Sequence, residues 1–186
     1  MQLGNFKSTN LLEWYEEANT FQCNAHGKTY TAFHNVIKEY LEEGDKYKEF
    51  GTMQGVTAAC ALTKKPSSVE LVDINFTRFD PYRPIFKEYC KENDITLKEY
   101  AMSSDSLGCS SEVDMLLIDS KHEVGHMRRE LAAHGHNVRK HIVAHDTHTI
   151  SSLHKVLVEF CNSNPQWKVI EHFQDNVGYT HISKVL

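Results

Sequence analysis

The sequence predicts an α/β fold in three layers, with a doubly wound, mostly parallel sheet of seven strands that ends in an antiparallel hairpin. Strand-like and helical runs alternate from Lys46 to Asn162. The run from Lys46 to Ile74 has the order strand, glycine turn, helix, strand and acid. The segment 175–178 (DNVG) is a favourable hairpin turn between the last two strands. Such alternation implies a parallel sheet with helices on both faces.

Length and composition indicate one globular protein without a membrane span. The chain has 186 residues, of which 40% are hydrophobic and 24% charged. The net charge of -5 argues against non-specific electrostatic binding to nucleic acid. The first ten residues lack the apolar core of a signal peptide. The five cysteines are an odd number and widely spaced, which indicates free thiols in a reducing cytosol. We therefore expect a cytoplasmic protein.

The first 44 residues predict a helical extension that packs on the core. Leu11–Glu17 reads as a short helix with cap candidates before it, and 21–28 reads as a loop. Apolar residues in Thr31–Glu43 recur at helical spacing, and Gly44 ends the run. The main domain is predicted over 45–186.

The main domain opens with a βαβ pattern that is typical of nucleotide binding. A strand over Lys46–Phe50 leads into a turn over Gly51–Gly55, a helix over Val56–Leu62 and a strand over Val69–Ile74. The glycines allow a sharp turn and a close ligand approach, and the helix points its free N–H groups at the turn. Asp73, roughly 20 residues on, can accept hydrogen bonds from both ribose hydroxyls. The pattern predicts a Rossmann-like sheet.

The turn itself favours S-adenosylmethionine over a dinucleotide. Its spacing is Gly51-x-x-x-Gly55, and Glu49 stands two residues before the first glycine. A pyrophosphate disfavours a nearby carboxylate, whereas a ligand with an amino group favours one. The E-x-G-x-x-x-G form with Asp73 downstream resembles the first two motifs of class I S-adenosylmethionine-dependent methyltransferases. The alternative is an ordinary βαβ turn with a chance acid.

The remaining elements follow the same alternation. An interrupted helical pattern over 75–94 precedes a third strand at 95–102 and a polar loop at 103–111. We then predict a buried strand at 113–119, a helix at 121–134, a short strand at 141–144 and a helix at 150–162. The hairpin strands are predicted at 167–173 and 179–185. Polar and acidic residues recur where the strands end, and parallel strands bind ligands at that edge. The sequence therefore predicts a site there.

Several later segments resemble a compact methyltransferase family related to cephalosporin hydroxylases. They are I-D-S-K-H at 118–122, R-R-E-L at 128–131, the strand ending in H-D-T at 137–147, and N-P-Q-W-K-V-I-E-H-F at 164–173. The resemblance covers about residues 45–186. Two features depart from typical methyltransferases: Met53 replaces the middle glycine of the turn, and 136–138 (HNV) replaces a P-G-G before the fifth strand.

The resemblance implies a set of site residues and a reaction. The protein would transfer a methyl group from S-adenosylmethionine, and we expect the acceptor to be oxygen on a small molecule or sugar, with no nucleic-acid or membrane partner. A homo-oligomer is compatible with the sequence. The implied contacts are Glu49, Gly51, Thr52 and Gly55 around the methionine part, Asp73 and Ile74 at the ribose, Asp105 and Ser106 at the adenine, and Asp119, His122, His145 and Asp146 at the methyl group and acceptor.

Some relatives, among them catechol-type O-methyltransferases, bind a divalent ion with acids at the ends of the fourth and fifth strands. Asp119 and Asp146 occupy those places, and oxygen ligands suit Mg²⁺. Such an ion would lower the pKa of the acceptor hydroxyl, and His122 or His145 could take the proton.

A competing motif is the H-E-x-x-H at His122–His126, which on a helix would hold zinc for a hydrolase. Its context argues against that function, because the predicted strand ends only two residues before His122 and Gly125 weakens a helix there. A protein that keeps the fold and binds cofactor without catalysis is the other alternative.

Overall fold

The structure is a computed structural model that describes residues 8–108 and 111–185. It confirms the predicted fold class. One sheet has the strand order β3-β2-β1-β4-β5-β7-β6, with every neighbouring pair parallel except the two that involve β7. The strands are β1 (Lys46–Phe50), β2 (Ser68–Asp73), β3 (Thr96–Ala101), β4 (Val113–Ile118), β5 (Val138–His145), β6 (Trp167–Phe173) and β7 (Tyr179–Lys184).

Six α-helices cover the two faces of the sheet in the described residues. Side chains of the first four share one apolar core with one face, and side chains of the last two share a second core with the other face. This division gives the three layers. The helices are α1 (Leu11–His26), α2 (His34–Tyr40), α3 (Val56–Leu62), α4 (Arg83–Glu92), α5 (Val124–His134) and α6 (Ser151–Ser163).

The bounds of β1 and α3 are as predicted. Helix α2 is three residues shorter at each end than the predicted run of Thr31–Glu43, and three other predictions were wrong. Helix α1 continues through the predicted loop at 21–28 and ends only before Gly27, because no proline or glycine interrupts it earlier. Strand β5 begins at Val138, where it pairs with Val113 of β4, three residues before its predicted start. Helix α5 begins at Val124, so the predicted helical start at Lys121 is a turn.

The segment before β1 packs against the main domain through aromatic side chains. Trp14 is 1% exposed, and its ring lies 4.9 Å from that of Tyr82 and 5.5 Å from that of Phe86, measured between centroids. Burying such aromatic area stabilises the contact by a few kcal/mol, about 25 cal/mol per Å². We propose that 1–44 is an extension packed on the core; residues 1–7 lie outside the described part.

Cys23, Cys60, Cys90 and Cys161 are free thiols, while Cys109 lies outside the described residues. None of the helices in the described residues is long and apolar enough to cross a membrane.

His34 gives the fold a predictable sensitivity to acid. Its Nδ1 lies 3.2 Å from the hydroxyl oxygen of Tyr15, and its Nε2 lies 3.3 Å from Oγ1 of Thr57. Burial lowers the pKa of His34 to about 3, and the nearby Lys38 ammonium acts in the same direction. The unfolded chain has an ordinary pKa of about 6.5 at this position, so below that pH it binds a proton that the folded chain does not.

We therefore expect the free energy of unfolding to fall as the pH drops below about 6.5, by about 1.4 kcal/mol per pH unit for this histidine. Urea unfolding on either side of that pH measures the slope. His34→Gln should make the slope shallower, whereas the exposed His136→Gln should leave it unchanged. An unchanged slope in His34→Gln would show that His34 does not carry the effect.

Candidate active site

A cavity of about 630 Å³ opens at the carboxyl edge of the sheet. Its walls come from the residues that follow β1 to β5 and from the segment before β1. This volume is within the usual range for small-molecule and cofactor sites, and the edge is where parallel α/β sheets bind ligands.

Asp73 holds the glycine turn that forms one wall. Its Oδ2 accepts hydrogen bonds from the backbone N–H groups of Thr52 at 2.9 Å and Met53 at 3.0 Å. Its Oδ1 accepts one from the N–H of Asn75 at 2.9 Å. The carboxylate at the end of β2 thus fixes the turn after β1, and Thr52, Met53, Asp73 and Asn75 all line the cavity.

Gly51 brings the turn against the residues that follow β4. Its φ is +90°, and a Cβ atom there would lie 2.0 Å from the carbonyl oxygen of Asp119. Only glycine therefore allows the ends of β1 and β4 to approach this closely. The approach places the turn directly beside Asp119, and both line the same cavity.

Gly51→Ala is expected to lower the free energy of unfolding by at least about 2 kcal/mol, because backbone strain and a collision with backbone act together. Gly108→Ala is the matched control: its φ is +72°, but a Cβ there meets nothing within 4 Å. Denaturant unfolding of both variants separates collision from strain. Equal losses would contradict the close approach at Gly51.

Two predicted residues of the same motif lie behind the wall. Gly55 precedes α3 with φ +86°, and a Cβ there would lie 2.8 Å from the Phe79 ring, so its role is packing. Glu49 is fully buried, and its Oε2 accepts a hydrogen bond from the Tyr47 hydroxyl at 3.0 Å. Burial raises the pKa of Glu49 to about 8. Neither residue lines the cavity.

The wall after β2 and β3 differs from the predicted one. Ile74 lines the cavity with its side chain 77% exposed, and Met53 and Met102 join it in an exposed apolar rim. The structure does not place the predicted Asp105 and Ser106 in the wall; Ser103 and Ser104 take their place.

The Asp105 carboxylate is held outside the cavity wall by residues of α5. Its Oδ2 lies 2.8 Å from Nε of Arg129 and 3.3 Å from Nδ1 of His126. A hydrogen bond from Ser103 and one from Arg129 lower its pKa to about 2. A carboxylate fixed in this way faces α5 and not the cavity.

Four residues at the ends of β4 and β5 form a charged cluster that lines the cavity: Asp119, His122, His145 and Asp146. Nε2 of His122 lies 3.2 Å from Oδ1 of Asp119 and 3.0 Å from Oδ2 of Asp146. Nδ1 of His145 lies 3.3 Å and 3.5 Å from the same two oxygens. The structure therefore brings together all four residues that the sequence predicted at the methyl group and acceptor.

Mutual attraction sets the charges of this cluster. Hydrogen bonds to Asp119 and then Asp146 raise the pKa of His122 to about 10. Burial disfavours a charge on Asp119, but His145 and His122 outweigh it and lower its pKa to about 2. Burial likewise opposes a charge on His145, yet the two carboxylates raise its pKa. The carboxylates thus favour the protonated forms of both imidazoles, and the imidazoles favour the ionised form of Asp119.

Sequence reasoning missed the aromatic wall beside this cluster. Tyr30 and Phe33 line the cavity, and their ring centroids lie 5.7 Å and 4.4 Å from that of His145. The hairpin turn after β6 holds their segment, because Nδ2 of Asn176 donates to the carbonyl oxygen of His26 at 2.8 Å. No local motif signals a contact between residues so far apart in the chain.

The H-E-x-x-H motif does not form a shared ligand pair. His122 precedes α5, whereas His126 lies within it. His122 contacts Asp119 and Asp146, while Nε2 of His126 lies 3.0 Å from Oγ of Ser104 and 3.2 Å from Oε1 of Glu130. Two histidines on one helical face, which zinc peptidases need, are therefore not present here.

Structure comparisons place this fold among methyltransferases. A candidate methyltransferase from Streptococcus mutans in complex with SAH has a TM-score of 0.61 at 7% identity, covering 83% of this chain and 97% of that one. A candidate RNA methyltransferase from Pyrococcus horikoshii has a TM-score of 0.58 at 14% identity, with coverage of 100% and 91%.

A candidate O-methyltransferase from Klebsiella pneumoniae has a TM-score of 0.56 at 14% identity, with coverage of 95% and 90%. At these identities the likeness shows a shared fold. No family model and no curated protein sequence matches the chain.

Proposed function

We propose that this protein is an S-adenosylmethionine-dependent methyltransferase. The observation that carries the proposal is that Gly51, Thr52, Asp73 and Asp119 line one cavity at the carboxyl edge of the sheet, where the Asp73 carboxylate holds the glycine turn. The wall offers a backbone turn and a carboxylate for the amino acid and ribose parts of the cofactor. The SAH complex of the neighbour from Streptococcus mutans supports the same ligand class.

We further propose that the acceptor is a hydroxyl on a small molecule or sugar. Three carboxylates, of Asp73, Asp119 and Asp146, line the cavity, and the chain carries a net charge of -5. The net negative charge of the chain disfavours a phosphodiester backbone as the acceptor. The neighbour from Klebsiella pneumoniae is described as an O-methyltransferase, and that from Pyrococcus horikoshii as an RNA methyltransferase. RNA is therefore the second candidate acceptor.

The reaction needs alignment more than activation. When bound, S-adenosylmethionine would supply an activated methyl group and leave as S-adenosylhomocysteine, and the Asp119 carboxylate would accept the proton of the acceptor hydroxyl. Asp119, His122 and His145 are proposed as the catalytic residues. His122, whose side chain is 40% exposed, connects the cluster to solvent. Positioning of this kind can supply several kcal/mol of barrier lowering.

The same cluster suits a divalent ion. Asp119, His145 and Asp146 each offer one ligand atom, and these atoms lie within 4.8 Å of one another. The set thus adds one imidazole to the predicted Asp119 and Asp146. Two carboxylate oxygens suit Mg²⁺, and an imidazole nitrogen is also acceptable to Mn²⁺. When bound, such an ion would stabilise the ionised acceptor oxygen.

Calorimetric titration of metal-stripped protein with S-adenosylmethionine tests the proposal, and we expect micromolar binding that does not need zinc. Repeats with Mg²⁺ and Zn²⁺ separate the alternatives. Absence of cofactor binding together with tight, stoichiometric zinc binding would refute it in favour of a hydrolase. Binding without methyl transfer to hydroxylated small molecules or to RNA would instead indicate a non-catalytic cofactor-binding protein.

A further inference from the structure

A second cavity, of about 600 Å³, lies between the N-terminal helices and the terminal hairpin. Its wall includes residues of α1, α2, β6 and β7 together with the segment between the first two helices. That segment separates the two cavities, since Tyr30 lines the first while Thr29 and Thr31 line the second. The second cavity is therefore distinct from the proposed cofactor site.

Two exposed carboxylates, those of Glu39 and Glu171, line the second cavity. Glu171 accepts a hydrogen bond from the Tyr179 hydroxyl at 2.7 Å. Burial raises the pKa of Tyr179, and the hydrogen bond to Glu171 and the charges of Glu171 and Glu39 raise it further. Both carboxylates thus act on the same phenol. Within the described part of the chain, neither has an ion pair with Lys, Arg or His.

Aromatic rings stand beside these carboxylates. The rings of Phe173 and Tyr179 are stacked, with centroids 5.2 Å apart and planes inclined by 15°, and Tyr40 lines the same wall. Of the two lysines in the wall, Lys38 already holds its ammonium 5.1 Å above the Tyr15 ring, and Lys28 is exposed. Aromatic faces combined with unpaired carboxylates attract organic cations.

We propose that the second cavity binds an organic cation, an ammonium group with apolar substituents, held by Glu39 and Glu171 against Tyr40, Phe173 and Tyr179. This inference goes beyond the proposed methyl transfer and does not depend on it. The cation balances the charges of the two carboxylates. Charge, aromatic contact and size together define the ligand class.

Choline and its neutral isostere 3,3-dimethyl-1-butanol are the probes, because they differ chiefly in charge. Calorimetric titration of the whole protein should detect choline binding at millimolar concentration and at least about tenfold weaker binding of the alcohol. Equal binding of the two probes, or no choline binding, would overturn the proposal.

Glu171→Gln keeps an acceptor for the Tyr179 hydroxyl and removes one charge, so we expect it to fold and to bind choline about fivefold more weakly. Glu159→Gln, which changes an exposed carboxylate paired with Arg128, is the matched control and should leave choline affinity unchanged. Unchanged affinity in Glu171→Gln would also overturn the proposal. Titration with S-adenosylhomocysteine should give the same affinity in both variants, which separates this test from that of the first cavity.

Discussion

Asp73→Ala should weaken the binding of S-adenosylhomocysteine by at least about 100-fold. The carboxylate accepts three backbone hydrogen bonds, from Thr52, Met53 and Asn75. Hydrogen bonds to a charged group contribute about 1.5–3 kcal/mol each. Its removal frees the glycine turn and also deletes the proposed partner of the ribose hydroxyls, so two losses act in the same direction. Calorimetric titration measures the change directly.

Two further variants define what that result means. Asp73→Asn keeps one oxygen acceptor for the turn, so its affinity should lie between those of the native protein and Asp73→Ala. His122→Ala removes a side chain at the acceptor end of the cavity and should weaken cofactor binding less. Stronger weakening in His122→Ala than in Asp73→Ala would contradict the assignment of the two ends.

The sheet could be predicted from local sequence because the turns that delimit its strands have recognisable local motifs. The glycine turn fixed both the end of β1 and the start of α3, and the D-N-V-G turn fixed the terminal hairpin. The early start of β5 was not predictable in the same way. Val138 becomes strand because it pairs with Val113 of β4, a contact made in the folded sheet and not in the neighbouring sequence.

The site residues likewise fall into two groups: those that strand ends predict and those that contacts distant in the chain position. Asp119 and Asp146 could be placed together because the carboxyl ends of parallel strands meet at one edge. Asp105 could not be placed, since its direction depends on an ion pair with Arg129, a residue 24 positions away in the chain. Tyr30 could not be placed either, because its segment is held by Asn176, which bonds to a residue 150 positions earlier.

Glu49 shows how the same motif can carry a different role. The sequence predicted that the Glu49 carboxylate contacts the amino group of the cofactor. In the structure it is buried beside the Tyr47 hydroxyl, outside the cavity wall. With a pKa raised to about 8 by burial, it is mostly protonated at neutral pH. We therefore expect backbone groups of the turn, and not this side chain, to contact the methionine part of the cofactor first.

Asp119→Ala and Asp146→Ala should each weaken Mn²⁺ binding by at least about tenfold, because each removes a ligand atom that no neighbouring group replaces. Titration followed by electron paramagnetic resonance of free Mn²⁺ measures this without any methyl acceptor. Asp105→Ala is the matched control, since its carboxylate is near the cavity but fixed to Arg129. Equal Mn²⁺ affinity in Asp119→Ala, Asp146→Ala and Asp105→Ala would remove the cluster as a metal site.

His145→Ala then tests whether the imidazole is a metal ligand beside the two carboxylates. If the imidazole is a ligand, this variant loses Mn²⁺ affinity together with Asp119→Ala and Asp146→Ala, because Nδ1 lies 3.3 Å and 3.5 Å from the two carboxylates and belongs to the same group of atoms. If only the carboxylates bind, Mn²⁺ and Mg²⁺ affinities survive the change, as expected for an oxygen-only site with several waters. Retained affinity in His145→Ala would therefore remove His145, whose ring lies against Phe33 and Tyr30, from the proposed metal ligands.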